Sequence, residues 1–146
     1  MPPLREDGRD LQDPATTLSK RAARRIIQRA FVLMGRDKIL RLFIRESQIT
    51  TLWVIEDWEM EWTVFLHRGK FEMERRPAKH PDITLTWPTA EVFFHQVDSP
   101  GNTLREVRID PPVEHNRFFE TLLRGFFTSL YHVLSNPFDD VGESLL

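Results

Sequence analysis

Five histidines are the residues of this chain that could bind a metal ion or relay protons. They are His67, His80, His95, His115 and His132. No two of them are spaced i, i+4, and neither an HExxH nor an HxH motif occurs. A metal site needs ligands that converge on one point, and this spacing gives no sign of convergence. The sequence therefore predicts surface or structural histidines and no metal site.

Carboxylates are the second group with chemical potential, because two of them together can act as general acid and base. The densest set comprises Glu56, Asp57, Glu59, Glu61, Glu72 and Glu74. The last four alternate with apolar residues, which is typical of the solvent-facing side of a strand. The chain also has no cysteine and no GxSxG, P-loop or GxGxxG motif. We therefore expect a protein that is not an enzyme and needs no cofactor.

The stretch from Ile49 to Trp87 shows the clearest structural signal in the chain. Apolar and polar residues alternate in four runs, and side chains at i and i+2 of a strand share one face. Arg68-Gly69 lies between the second and third runs and predicts a tight hairpin turn. The apolar members of the runs are Trp53 and Ile55; Met60, Trp62, Val64 and Leu66; Phe71 and Met73; Ile83, Leu85 and Trp87.

Helical spacing of apolar residues flanks these strands on both sides. The first helix is predicted to start near Leu18 with Thr16 or Thr17 as its cap and to stop at Gly35. A second short helix should follow from Asp37. Beyond the strands, the pattern predicts a helix that begins at Pro88-Thr89 and runs to Asp98. A fifth strand is predicted around Leu104, Val107 and Ile109. A last helix should run from Val113 to Leu134 and end before Asn136-Pro137.

Charge divides the chain unevenly although the formal net charge is only −2. Residues 18–46 hold nine basic and two acidic residues, a net charge of +7, whereas residues 47–146 carry a net charge of −7. A basic arm of this kind can meet anionic lipids or an acidic protein, or it can be the solvated face of an ordinary packed helix, which is the default. The candidate basic surface comprises Arg21, Arg24, Arg25 and Arg29.

Several classes of function are disfavoured by composition. The acidic body and the lack of a helix-turn-helix, zinc-finger or aromatic RNA-binding signature argue against nucleic-acid binding. No apolar run approaches the length of a membrane span, and the polar beginning of the chain lacks the apolar centre of a signal peptide. The absence of cysteines is compatible with a reducing compartment, so a cytoplasmic location is expected.

The order of these elements resembles the sterol-carrier-protein-2-like (SCP2-like) domain. A basic helical arm leads into strands TLWVIED, EWTVFLHRGKFEMER and PDITLTW, then into helix PTAEVFFHQV, strand LREVRID and an apolar terminal helix. The run Asp82-Ile83-Thr84-Leu85-Thr86, followed by a helix from Pro88, matches that family's D-x-T-[LI]-T strand and the helix behind it. The resemblance covers residues 18–135, within a domain of residues 18–136 (basic helical arm 18–46, sheet and helices 47–136) between tails at 1–17 and 137–146.

The resemblance implies an α+β fold, with a five-stranded, mostly antiparallel sheet covered on one face by helices. It implies a lipid-transport or lipid-binding protein that holds a fatty acid, sterol or isoprenoid in a hydrophobic cavity between sheet and helices. The cavity would be lined by Trp53, Trp62, Val64, Leu85, Trp87, Phe93, Phe94, Phe119, Leu122, Leu123, Phe126 and Phe127.

A second interpretation stays open, because the same aromatic residues can fill a solid core and native cores are close-packed. The chain would then be an interaction or dimerisation module, accessory to a lipid-metabolising enzyme. Its partner, or a second copy of the chain, would dock on the basic arm or on the apolar terminal helix.

Overall fold

The structure, a computed structural model, describes residues 18–96, 106–112 and 117–146. The predicted tail at residues 1–17 lies outside these ranges. The helices are α1 (Lys20–Met34), α2 (Lys38–Phe43), α3 (Ala90–His95) and α4 (Arg117–Ser135). The strands are β1 (Gln48–Ile55), β2 (Met60–His67), β3 (Lys70–Glu74), β4 (Ile83–Trp87) and β5 (Arg108–Asp110).

The strands form one mixed sheet in the order β3-β2-β1-β4-β5. β1 pairs antiparallel with β2 and parallel with β4, while the β2–β3 and β4–β5 pairs are antiparallel. The predicted five-stranded, mostly antiparallel sheet is therefore confirmed. Trp53 lies opposite Trp62 on β2 and opposite Leu85 on β4, which places these three side chains in one row on one face.

The turn between β2 and β3 is the predicted tight hairpin. Arg68 has φ of 51° and Gly69 has φ of 82°, and two consecutive left-handed residues are what a type I′ turn requires. Gly69 also lies under the end of α2, because a Cβ atom at this position would be 3.3 Å from the carbonyl oxygen of Arg41. The hairpin and α2 are thus in close contact.

The first two helices begin at side-chain caps. The hydroxyl of Ser19 accepts a hydrogen bond from the backbone N–H of Ala22 at 3.1 Å, so the predicted cap at Thr16 or Thr17 is wrong. Thr16, Thr17 and Ser19 all have a hydroxyl group that can cap a helix, and the capping preference alone does not distinguish between them. Asp37 caps α2 as predicted, and α1 ends at Met34, directly before Gly35.

Later boundaries differ from the prediction by a few residues. Thr89 is the cap of α3, so Pro88 precedes the helix and does not lie in its first turn. The helix ends at His95, and the predicted end at Asp98 lies outside the described residues. The fifth strand is confirmed at Arg108–Asp110, while Leu104 and the predicted start of the last helix at Val113 also lie outside the described ranges.

The core lies between one face of the sheet and the helices, where α1 and α4 pack against each other. The connection from β3 to β4 crosses the opposite face. Thr63, which points away from the core between Trp62 and Val64, donates to the carbonyl oxygen of Arg76 at 2.6 Å and accepts from the backbone N–H of Ala78 at 2.8 Å. None of the helices in the described ranges has both the length and the apolar character needed to cross a bilayer.

Candidate functional site

The strand side of the candidate site is a row of buried indoles. Trp53 is at its centre, with ring centroids 5.8 Å from Trp62 and 5.5 Å from Trp87. All three are at most 2% exposed. Val64 and Leu85 complete this wall and are fully buried. Their common face follows from the alternation in β1, β2 and β4, which sends every second side chain into the core.

The helix side of the site is built by α3 and α4. Phe93 on α3 lies edge-on to two indoles, with its centroid 5.9 Å from Trp62 and 4.9 Å from Trp87. Phe126 on α4 lies 5.0 Å from Trp53. The remaining predicted residues of this side are also buried: Phe94, Phe119, Leu122, Leu123 and Phe127.

All the predicted cavity residues therefore belong to one contiguous apolar cluster. The prediction omitted Phe31 on α1, which lies 4.6 Å from Phe126 and 5.2 Å from Trp53. Helical spacing already placed Phe31 on the apolar face of the first helix. The sequence does not show which part of the sheet that face covers, so helical spacing alone does not place Phe31 in the site.

The space between sheet and helices is filled by these rings. The ring centroid of Phe126 lies 5.0 Å from that of Trp53 and 6.0 Å from that of Phe93, as neighbours in a close-packed core do. A cavity of about 60 Å³ lies at the margin of this layer. Pockets for small ligands commonly measure about 300–1,000 Å³, so this cavity has room for a few water molecules. It is lined by Arg24, Ile27, Gln28, Met60, Glu61, Trp62, Met73 and Arg75.

Hydrogen bonding distinguishes the three indoles. The N–H of Trp53 donates to the hydroxyl of Thr51 at 2.9 Å, and that hydroxyl donates to the carbonyl oxygen of Val64 at 2.8 Å. The indole nitrogens of Trp62 and Trp87 are buried and have no hydrogen-bond partner within the described part of the chain. Buried donors normally have an acceptor, so these two N–H groups are exceptions within an otherwise apolar interior.

The predicted basic surface on α1 is partly occupied by the end of the chain. Arg29 and Arg36 both donate to Asp140, at 2.9 Å and 2.6 Å, and Arg25 donates to the carbonyl oxygen of Leu145 at 3.0 Å. The two guanidinium groups hold the pKa of Asp140 far below its usual range. Arg21 is exposed and Arg24 is half-buried, so the four predicted arginines do not form one open patch.

The histidines and carboxylates do not assemble into a metal site within the described ranges. Glu61, Glu72 and Glu74 are exposed along the strands, as expected, whereas Glu59 lies in the β1–β2 turn with φ of 52°. Asp57 has a structural contact that the sequence did not suggest. Its carboxylate accepts a hydrogen bond from the backbone N–H of Ala90 at 2.8 Å and so fixes the start of α3.

Comparison with known proteins gives matches at the level of structure alone. No protein-family profile and no curated protein sequence matches the chain. The conserved hypothetical protein TT1886 of Thermus thermophilus, suggested to be a sterol carrier protein, is 7% identical. The match covers 74% of this chain and 85% of that one, with a TM-score of 0.54. This similarity shows an SCP2-like fold, as the sequence predicted.

Two further solved structures are similar over parts of the chain. The ubiquinone synthesis protein UbiJ-SCP2 is 11% identical over 65% of this chain and 82% of that one, with a TM-score of 0.48. The stereoselective inverting sec-alkylsulfatase Pisa1 from Pseudomonas sp. is 15% identical over 59% of this chain, with a TM-score of 0.43. The match spans 14% of the length of the alkylsulfatase.

Proposed function

We propose that this chain is a non-enzymatic lipid-binding protein. Its ligand would be a fatty acid, sterol or isoprenoid that carries at least one oxygen acceptor and lies between the sheet and the helices. The SCP2-like fold supports this proposal. The observation that carries it furthest is the pair of buried indole N–H groups on Trp62 and Trp87, which have no acceptor among the described residues.

An unpaired buried donor is unfavourable by about 1–3 kcal/mol. A ligand oxygen placed next to Trp62 or Trp87 would recover part of that energy, and the hydrocarbon part of the ligand would find an aromatic wall. Edge-on contact with the ring of Phe93 compensates an indole N–H only weakly. A polar head with an apolar body is thus the ligand chemistry that this interior favours.

Binding in this filled interior requires a side chain to leave it, and Phe93 is the best candidate. Its ring is in contact with both Trp62 and Trp87, so its departure would open space for a ligand beside the two indoles. Phe93 is carried by α3, which has only six residues. Asp57 and Thr89 hold only the start of this short helix, so its other end can move outward. Moving it should cost less free energy than moving the 19-residue α4.

The test measures binding of a fluorescent fatty acid, together with native mass spectrometry of the freshly purified protein. Phe93→Ala should increase the affinity, because it removes the side chain that competes with the ligand. The double variant Trp62→Phe/Trp87→Phe should weaken binding about tenfold, since a hydrogen bond is worth about 1 kcal/mol or more. Trp58→Phe is the matched control, because Trp58 is half-buried against Phe94 and its indole nitrogen is not one of the buried donors without a partner.

The proposal fails if neither the parent protein nor Phe93→Ala binds the probe and no lipid co-purifies. An unchanged affinity in the indole double variant would remove the proposed role of the two N–H groups. Circular dichroism of each variant establishes that a loss of binding is not a loss of folding.

The filled interior itself favours a second candidate, an interaction or dimerisation module with a solid core. Exposed apolar side chains on α2, with Ile39 80% and Leu42 63% exposed, give such a module a contact surface. Sedimentation equilibrium separates the candidates. A ligand-free dimer that dissociates in Leu42→Ser would support the module, and a monomer with bound lipid would support the carrier.

A further inference from the structure

We propose that α2 and the adjacent hairpin dock on the surface of an anionic membrane. A cationic groove would hold lipid phosphates, and the apolar side chains beside it would insert among the acyl chains. This inference goes beyond the proposed ligand in the interior and uses different residues. The membrane contact would thus lie on α2 and the hairpin, and not on the arginines of α1 that form the candidate basic surface in the sequence.

The apolar part of this surface is a ridge formed by Ile39, Leu42 and Phe43 on α2. Their side chains are 80%, 63% and 40% exposed. Single exposed apolar residues are common on proteins, but three large ones on a helix of six residues are concentrated. Phe43 also stacks on Phe118 of α4, with centroids 5.4 Å apart and planes at 20°, which extends the ridge towards α4.

The cationic part is a groove of about 390 Å³ beside the ridge. The groove is lined by Lys38, Arg41, Leu42, Arg45, Arg68 and Gly69. Of its four basic side chains, three have no acidic partner in the described ranges, and Arg45 has only Glu46 at 3.7 Å, both well exposed. Asp37, the other nearby acid, uses its carboxylate to cap α2. The groove therefore presents uncompensated positive charge.

Both parts are held in place by the fold. Leu40 is 7% exposed and packs against Gly125 of α4, where a Cβ atom would be 2.9 Å from its Cδ2 atom. On the other side, the carbonyl oxygen of Arg41 lies against Gly69 of the hairpin. α2 is thus clamped between α4 and the hairpin, so the ridge does not have to be ordered when it meets a partner. Preorganisation of this kind reduces the entropic cost of binding.

The combination of groove and ridge decides the class of partner. A basic surface with adjacent apolar side chains is typical of segments that lie in the interface of anionic lipids. An acidic peptide would satisfy the groove but would leave Ile39 and Leu42 in water. The arginines of α1 are less suited, because Arg29 is only 14% exposed and is bound to Asp140.

The test is flotation of the full chain with two kinds of vesicle. One kind is phosphatidylcholine alone, and the other is an equimolar mixture of phosphatidylcholine and phosphatidylglycerol. We expect binding to the mixture only, and weaker binding as salt is raised. Arg41→Glu and Ile39→Ser should each weaken binding about fivefold or more.

Two matched controls separate this surface from others. Val141→Ser removes an apolar residue that is as exposed as Ile39, at 80%, and Arg21→Glu reverses an exposed charge on α1. Neither should change binding by more than about twofold, since neither residue lies near the groove or the ridge. If Arg41→Glu does not fold, Lys38→Glu serves as the second charge variant.

Three results would overturn the proposal. The first is no binding to the mixed vesicles. The second is an equal loss in Arg21→Glu and Arg41→Glu, which would mean general attraction to the basic arm. The third is a loss in Arg41→Glu with none in Ile39→Ser, which would mean that the groove attracts lipid phosphates but that the ridge does not insert among the acyl chains.

Discussion

The Cδ2 atom of Leu40 lies 2.9 Å from the position that a Cβ atom would take at Gly125. The side chain of Leu40 therefore lies directly against the backbone in the middle of α4, in space that a β-carbon would occupy. Glycine in the middle of a helix is unfavourable by about 1 kcal/mol relative to alanine. The glycine that makes room for Leu40 therefore lowers the intrinsic stability of α4.

Gly125→Ala should leave the stability of the protein nearly unchanged, because the shift forced on the end of the Leu40 side chain offsets the gain of about 1 kcal/mol in helix propensity. In a Leu40→Ala background the same change should instead stabilise by about 1 kcal/mol, since the obstructing side chain is gone. Urea denaturation of the four proteins measures this coupling. An equal effect of Gly125→Ala in both backgrounds would mean that the two residues do not oppose each other.

Thr63→Val should loosen the connection from β3 to β4. The hydroxyl of Thr63 binds both the carbonyl oxygen of Arg76 and the N–H of Ala78, and valine leaves these two backbone groups without a partner. We expect a loss of about 1–3 kcal/mol in the free energy of unfolding and faster cleavage by trypsin after Arg75 and Lys79.

The control for that experiment is Thr84→Val. Thr84 lies in the same row of the same sheet face, because both threonines lie opposite Leu52. Its hydroxyl has no hydrogen bond to the residues that the structure describes. Equal trypsin sensitivity in both variants would show that the hydroxyl of Thr63 does not hold the connection.

Asp140→Asn should release residues 136–146 from α1, because Arg29 and Arg36 lose the charge that they share. The pKa of Asp140 is lowered by these two arginines. Its contribution is therefore fully present above the unfolded-state pKa of about 3.9. It is lost as the pH falls through the lower folded-state value. Hydrogen exchange of the amides of Phe138 and Leu145 should accelerate in the variant at neutral pH and in the parent only in strong acid.

Glu143→Gln is the matched control for the acidic segment. Glu143 has no ion pair within the described ranges, so its change should leave exchange near the parental rate. If Glu143→Gln and Asp140→Asn accelerate exchange equally, net charge holds the segment and the two arginines have no specific role.

The sequence predicted those features that depend on neighbouring residues. Met60, Trp62, Val64 and Leu66 are buried as their alternation required, because a strand has a fixed side-chain period. The alternation does not determine which strands become neighbours. The parallel contact of β1 with β4 depends on the crossing of the β3–β4 connection, which has no period-2 signature.

Local sequence patterns do not predict contacts between distant parts of the chain. Asp140 is 111 residues from Arg29, so the spacing of the arginines on α1 gives no sign that a distant segment covers part of them. The interior posed a related difficulty. Phe93 and Phe126 have the same spacing whether they line a cavity or fill a core, and only their distances to Trp87 and Trp53 distinguish the two.

The contact of Trp62, Trp53 and Trp87 across three neighbouring strands has an optical consequence. Their planes are inclined by only 31° and 32°, and indoles this close couple their electronic transitions. Circular dichroism in the strong far-ultraviolet absorption band of indole should then contain a paired signal of opposite signs from the row as a whole. Any molecule that separated one ring from the others would weaken this paired signal. The three indoles therefore report on changes in the interior without an added label.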